Sequence, residues 1–326
     1  MPATDVLLVS LGSTAGLRAA DLELAGALER AGATVAVAAT RPQRDVRTLA
    51  LTDLVWARAA RAAAVRALAE YEPRAVVYCA TTAALLWPRA GAIRFDAPAA
   101  ANRPGRHGIW QRPAERRRLA QAPLLIPQAP GALAEAGDPP ARAIVVPIPV
   151  EPSGPPVPPE ARDIAVLTYA ANPAKKGLDR IVEAWSRARR PGEELVVTGT
   201  VHVPRVEGVR ATGPLPPQEH RALLRRARVY VAAPRREDYG LAQLEALADG
   251  AQLVTTAAPG PYAALPLARE LDARLVGDDL AGALRQALDD PSPAYAERAL
   301  AAVAPFRRAA VDRTVAERLL PALLGR

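Results

Sequence analysis

The run Pro147-Ile-Pro-Val-Glu-Pro-Ser-Gly-Pro-Pro-Val-Pro-Pro-Glu160 constrains this chain more than any other stretch. Proline fixes φ and carries no backbone N–H, so prolines this dense enter neither a helix interior nor a central strand. The run reads as a semi-rigid linker. It divides 326 residues into two parts of ordinary domain size. The expected layout is a first domain over residues 1–150, a linker over 151–162 and a second domain over 163–305. A last helix over 306–326 is a candidate to cross back to the first domain.

Each part alternates short β runs with helical stretches. In the first, strands are predicted at Val6–Ser10, Val35–Ala39, Ala75–Ala80, Ala92–Phe95, Leu124–Ile126 and Ile144–Val146. Helical periodicity falls between them at Leu17–Arg30, Leu54–Glu70 and Pro113–Gln121. The alternation restarts with strands at Ile164–Thr168, Leu195–Gly199, Val209–Thr212, Val229–Ala233, Gln252–Thr256 and Arg274–Val276. Helices are predicted at Leu178–Arg189, Pro217–Arg226, Leu241–Asp249 and Asp279–Leu288, then around Pro293–Val303 and Ala309–Leu323. Strands separated by helices imply parallel pairing. The fold class is therefore α/β, two Rossmann-like doubly wound parallel-sheet domains. Such a pair is expected to face across a cleft, with ligands outside the carboxyl ends of the strands.

Composition removes several function classes. The formal charge is +8, but Arg is spread along the whole chain and aromatic residues make up 4%. Nucleic-acid binders concentrate charge and add stacking platforms, so no nucleic-acid partner is expected. The basic balance remains compatible with a phosphate-rich small molecule or with peripheral contact at an anionic membrane face. The one cysteine, Cys79, excludes an intrachain disulfide, and His107, His202 and His220 are too scattered for a His-rich metal site. No bound metal or cofactor is expected. Asp5 and Gly12 interrupt a signal-peptide layout, and no apolar run approaches the ~18 residues that span a bilayer. A cytoplasmic location is expected.

The segment Arg235-Arg-Glu-Asp-Tyr-Gly-Leu-Ala-Gln-Leu-Glu-Ala-Leu-Ala-Asp-Gly250 carries the chemistry. Glu237 falls in a loop after a predicted strand, and Gly240 opens a helix. Glycine there allows close approach of a ligand to the backbone. The free N–H groups of Gly240 and Leu241 present partial positive charge, a seat for a diphosphate. Glu245 lies about 7–8 Å further along the axis, beside the apolar residues Leu241, Leu244, Leu247 and Ala248. A carboxylate there needs a partner, and ribose hydroxyls are suitable donors. Two acids with a helix start between them match a nucleotide sugar. The plainer alternative is a strand–loop–helix with two surface glutamates.

Glu237 and Glu245 are separated by seven residues, and the segment resembles the E-x7-E signature of the family 4, or group 1, retaining GT-B glycosyltransferases. Upstream, Ala174-Lys-Lys-Gly-Leu-Asp-Arg-Ile-Val-Glu-Ala184 is similar to that family's Lys-Gly element. The run from Val209 to Pro234 resembles its approach to the motif, Ala15-Gly16 with Gly32 its glycine loop and turn, and Val146–Val150 its exit into the linker. The resemblance implies a transferase that moves a sugar from a nucleotide-diphosphate sugar, its co-substrate, to an unidentified acceptor with retention and without a metal. It gives Lys176 the donor diphosphate as partner, Gly240 and Leu241 the phosphates through backbone N–H, Glu245 the ribose and Glu237 a sugar hydroxyl. Gly16 lets the first domain's loop approach the phosphate or sugar. Lys176, Glu237 and Asp96 are the catalytic candidates; Arg236 and Tyr239 join the donor-binding set.

The sequence also departs from the family. Ala170 stands where the family usually has an Arg, which leaves Arg235, Arg236 or Arg103 as alternative phosphate cations. Phe95 stands where a His is common, followed by Asp96, which either contacts a sugar or caps a loop. His107 is a catalytic candidate or an ordinary surface histidine. These departures motivate a rival, a non-catalytic member that binds a nucleotide sugar or a partner protein. An epimerase or hydrolase on the same architecture is a third reading.

Overall fold

The computed structural model describes residues 3–43, 46, 48–137, 139 and 141–325, with Ala15 described by its backbone alone. The chain forms two compact units, Met1–Pro149 with Arg308–Arg326, and Val150–Arg307. Each is an α/β unit around a five-stranded parallel sheet, in agreement with the fold class expected from the alternation.

The first unit contains β1 (Ala3–Ser10), β2 (Val35–Ala39), β3 (Glu72–Tyr78), β4 (Ala92–Phe95) and β5 (Leu125–Pro127), in the order β2-β1-β3-β4-β5. Along β1 successive side chains point to opposite faces, yet both faces are apolar because helices cover both. Leu7 and Val9 pack with Trp56 and Tyr78, while Val6 and Leu8 pack with Leu24 and Leu28. Each such burial stabilises by roughly 1.5–3 kcal/mol. Helix Ala15–Arg30 starts where the Thr14 hydroxyl accepts from Leu17 N at 3.2 Å. The last helical residues belong to this unit. Val311, Val315 and Leu319 join the cluster of Val6 and Leu28, and Arg30 pairs with Asp312 at 2.8 Å. Residues Val315–Leu319 widen into a π turn just before Pro321, whose missing N–H interrupts the regular bonding pattern.

The second unit contains β6 (Ile164–Tyr169), β7 (Leu195–Thr198), β8 (Val209–Gly213), β9 (Ala227–Ala232) and β10 (Gln252–Thr255), ordered β10-β9-β6-β7-β8. The order reverses between β6 and β9, a switch point at which α/β sheets hold ligands. The proline-rich segment lies along this unit. Ser153 N and Oγ donate to Asp249 Oδ1 at 2.7 and 2.9 Å, and Arg225 donates to the Pro155 carbonyl at 2.8 Å.

Two predicted strands are absent as strands. Ile144–Val146 runs beside β5 without becoming a strand: Ala143 bridges Leu125, and Ile144 N and Val146 N donate to the Leu125 and Pro127 carbonyls at 2.9 and 3.0 Å, but Pro147 and Pro149 follow at once and cannot extend a ladder. Arg274–Val276 is mostly a 3₁₀ turn, Ala273–Leu275, with Val276 bridging Thr255. Asp272 starts that turn by accepting from Arg274 N at 3.0 Å. The helix predicted at Leu54 begins at Leu49, since the Thr48 hydroxyl accepts from Leu51 N at 3.2 Å. Short helices at Thr81–Ala84, Pro130–Glu135 and Ala264–Asp272 are not anticipated by the pattern.

Candidate functional site

The switch point of the second unit gathers two loops. After β6, Asn172 caps a single helical turn, Pro173–Lys176, by accepting from Lys175 N at 3.0 Å. Gly177 ends the turn at φ +66° and opens helix Leu178–Ala188. A Cβ at Gly177 would lie 2.0 Å from the Ala233 carbonyl oxygen, so only glycine lets this turn rest on the chain leaving β9. Arg235 N donates to the Lys175 carbonyl at 3.0 Å and fastens the two loops together.

That fastening brings Lys176 and Glu237 into contact, Nζ to Oε2 at 2.7 Å. The Glu237 side chain is only 7% exposed and that of Lys176 23%. The same carboxylate oxygen accepts from Gln243 Nε2 at 3.0 Å. Gly260 crosses over Glu237 so closely that a Cβ would meet the Glu237 carbonyl oxygen at 2.1 Å. The acid is thus held from three sides.

Gly240 takes φ +90° and opens helix Leu241–Ala248, with no side chain capping its start. The first intrahelical bond comes from Leu244 N to Gly240 O at 3.1 Å. The preceding N–H groups, of Leu241 and its two successors, end the helix with partial positive charge. Tyr239 is buried, and its carbonyl accepts from Ala263 N at 2.8 Å, which fixes the loop before the helix.

Glu245 stands further along that helix. It faces Arg221 Nη1 at 3.5 Å, while Arg221 Nε bonds Asp249 Oδ2 at 2.6 Å and Nη2 bonds the Glu151 carbonyl at 2.7 Å. Burial pushes the Glu245 carboxyl above its ordinary pKa; Arg221 opposes the shift and Asp249 adds to it. Tyr169, at the end of β6, is pushed up by burial and by the charge of Glu245. Beside Tyr169, His220 is edge-on at 5.5 Å between ring centres. Burial, then Arg221, lower His220 to about 4. Thr198 Oγ1 donates to the Thr168 carbonyl at 3.1 Å, so the same oxygen accepts from His220 Nδ1 at 3.1 Å. The imidazole is therefore the neutral Nδ1–H form, its Nε2 buried without a protein partner.

The other candidates are placed as follows. Arg236 Nε bonds Asp238 Oδ1 at 2.7 Å, and Lys175 Nζ bonds Asp238 Oδ2 at 3.1 Å. Burial would raise the Asp238 carboxyl, but Lys175 and then Arg236 bring it below the usual aspartate range. Arg235 pairs with Asp179 at 2.6 Å. Arg103 grips Asp53 with Nε at 2.9 Å and Nη2 at 3.2 Å. Ala170, in the place of the family arginine, is wholly buried. Asp96 follows β4 in the first unit, where Oδ1 accepts from Ala97 N at 2.8 Å. Gly16 sits exposed in the first turn of its helix, with open space where a Cβ would point. His107 is exposed in the 3₁₀ turn Gly105–Gly108.

Sequence reasoning passes over Gln243, Arg221, Tyr169 and His220. Gln243 carries the one available signal, a polar residue adjoining the apolar stripe of its helix. The other three sit on strands and helices that only the sheet order brings to Glu245.

Two α/β units, each built on a five-stranded parallel sheet, have the GT-B fold. Residues 163–290 match the family model described as glycosyl transferases group 1. No curated protein matches the chain by sequence. Among solved structures, the chain is similar to Anabaena HepE, solved with UDP and glucose, at TM-score 0.69 and 13% identity over 97% of this chain and 99% of that one. WaaG, a glycosyltransferase involved in lipopolysaccharide biosynthesis, is similar at TM-score 0.70 and 15% identity, with 98% and 100% covered. Sucrose-phosphate synthase from Thermosynechococcus elongatus is similar at TM-score 0.69 and 16% identity, with 96% and 98% covered. Among the described residues no helix is long and apolar enough to cross a membrane.

Proposed function

We propose that this protein transfers a sugar from a nucleoside-diphosphate sugar to a hydroxyl-bearing acceptor, with retention at the anomeric carbon and without a metal ion. The observation that carries the reading is the Lys176–Glu237 contact at the β6/β9 switch point, one short loop before the helix start at Gly240. In this reading the donor diphosphate lies across that helix start and against Lys176, which stabilises the negative charge growing on the leaving group. Glu237 accepts from a donor sugar hydroxyl and Glu245 from the ribose. The acceptor oxygen attacks the anomeric carbon on the face the diphosphate leaves. The carbon–oxygen bond to phosphate breaks, the new glycosidic bond forms, and the acceptor proton passes to the departing phosphate. Asp96 and Gly16 remain candidates on the acceptor side. The similarity to HepE, solved with UDP and glucose, supports a nucleotide sugar as co-substrate.

A second reading, nucleotide-sugar binding without transfer, has one observation in its favour. The place of the family's arginine is the buried Ala170, and Arg235 and Arg236 are turned to Asp179 and Asp238. The test incubates the full chain with a panel of labelled nucleotide sugars, following nucleotide release by chromatography and the product's anomeric configuration by NMR. Transfer with the donor's configuration supports the proposal, inversion removes the retaining mechanism, and binding without release favours the second reading.

A further inference from the structure

The second unit carries a pocket of about 610 Å³ at the opposite edge of its sheet from the candidate site. Among its lining residues Arg162 precedes β6, Arg228 is the second residue of β9 and Gln252 the first of β10. The pocket therefore lies at the amino ends of three strands, whereas Lys176, Glu237 and Gly240 follow the carboxyl ends of β6 and β9. Pro159, Pro291, Pro293 and Tyr295 also line it. Ala294, between the last two, takes φ +51°, the one positive φ outside glycine among the described residues. Proline rings and a backbone held in that region make a preformed wall.

Two polar side chains in the lining are only half satisfied. Gln252 Nε2 donates to the Ala287 carbonyl at 2.8 Å and Arg228 Nη2 to the Leu288 carbonyl at 2.6 Å, so both meet at the end of helix Leu280–Asp289. Gln252 is 7% exposed, and its Oε1 is buried without a hydrogen-bond partner. Arg228 is half-buried, and its Nε and Nη1 make no bond among the described residues. Arg162, by contrast, turns its three nitrogens to the Val157, Ala227 and Asp249 carbonyls. What remains is one acceptor, Gln252 Oε1, near the spare donors of Arg228. Glu160 and Glu297 are exposed in the lining and join no ion pair among the described residues.

We propose that this pocket is a second binding site, and that it takes an uncharged nucleoside whose base shows a carbonyl beside a ring N–H. The carbonyl accepts from Arg228, and the N–H completes Gln252 Oε1, an acceptor that is costly to leave unmade once buried. The flat base packs on the proline rings, while Glu160 and Glu297 accept from ribose hydroxyls. The same two carboxylates repel a phosphate, so charge discriminates against nucleotides. The volume lies within the ~300–1,000 Å³ of small-molecule pockets and leaves room for a base and a pentose. The site stands independently of the sugar-transfer reading.

Saturation-transfer NMR on the full chain tests this with uridine and with 3-methyluridine, which lacks the ring N–H. Uridine is expected to give a signal at least fivefold above its methylated analogue. That signal should fall at least fivefold in Gln252→Leu and stay unchanged in Glu245→Gln, which alters the candidate donor site alone. Glu160→Lys combined with Glu297→Lys changes only exposed side chains, so it keeps the test open should Gln252→Leu unfold. In that double variant the signal of uridine monophosphate should at least double, because any contribution from the donor site is the same as in wild type. Equal signals from uridine and 3-methyluridine, or no uridine signal, overturn the proposal. So do loss of the signal in Glu245→Gln with retention in folded Gln252→Leu, and an unchanged monophosphate signal in the lysine variant.

Discussion

Replacing Lys176 with Met keeps the length of the side chain and removes its charge. Glu237 is then a nearly buried carboxylate with Gln243 Nε2 at 3.0 Å as its remaining side-chain donor. Removing one partner of a fully buried pair costs about 3–5 kcal/mol, and an exposed pair contributes ~1 kcal/mol or less. With Lys176 23% and Glu237 7% exposed, the single variant should lose about 2 kcal/mol. Glu237→Gln in the Lys176→Met background removes the stranded charge and should recover roughly half of that loss, a coupling of at least ~1 kcal/mol once the cost of Glu237→Gln alone is included. Urea unfolding of wild type, both single variants and the double variant measures it, at unchanged m-value. The same variants separate the two ligand roles. A charge-assisted bond to a diphosphate is worth about 1.5–3 kcal/mol, so Lys176→Met should weaken nucleoside-diphosphate binding by roughly ten- to a hundredfold. Glu237→Gln should change diphosphate binding by less than about threefold, under 0.7 kcal/mol, and reduce affinity for the intact nucleotide sugar. A coupling below about 0.3 kcal/mol, within the error of additivity, would refute the view that the pair is one held unit. Equal nucleotide affinity in all four proteins would refute the site.

Two further outcomes follow from ionisable groups. Burial raises the Glu245 carboxyl, so its charged form begins to disappear, as pH falls, at a higher pH than for an ordinary glutamate. Nucleotide affinity measured by calorimetry should therefore fall on the alkaline side of the usual glutamate pKa, and the inflection should vanish in Glu245→Gln; an identical profile in both counts against the ribose role. His220 is lowered to about 4 from 6.5, so between those values the unfolded chain binds more protons than the folded one. Stability should rise with pH across that window and be lost on acidification, by on the order of 3 kcal/mol for this one group. His220→Gln should flatten the acid limb in a pH series of unfolding midpoints, whereas an unaltered limb would show that the imidazole is not held neutral.

Local chemistry alone determines much of this protein. The proline run, the twofold restart of strand and helix, and the glycine before Leu241 are short-range signals, because φ limits, side-chain period and helix ends act over a few residues. The resemblance to group 1 glycosyltransferases rests on the same local segments and meets the family match over residues 163–290. Short strands mislead where a neighbouring proline or an Asp cap decides the backbone, as at Ile144–Val146 and Ala273–Leu275.

Which side chains meet is a different matter. Lys176 and Glu237 are 61 residues apart, and they touch because β6 lies beside β9. Arg221 reaches Glu245 and Asp249 from a separate helix. Strand order follows from the packing of whole layers, which no window of sequence contains. The sequence by itself determined the two α/β halves and the types of group that the candidate site offers. The tertiary structure alone decided which of them are spent on one another and which still face a ligand, since that depends on contacts made only when both faces of each sheet are covered.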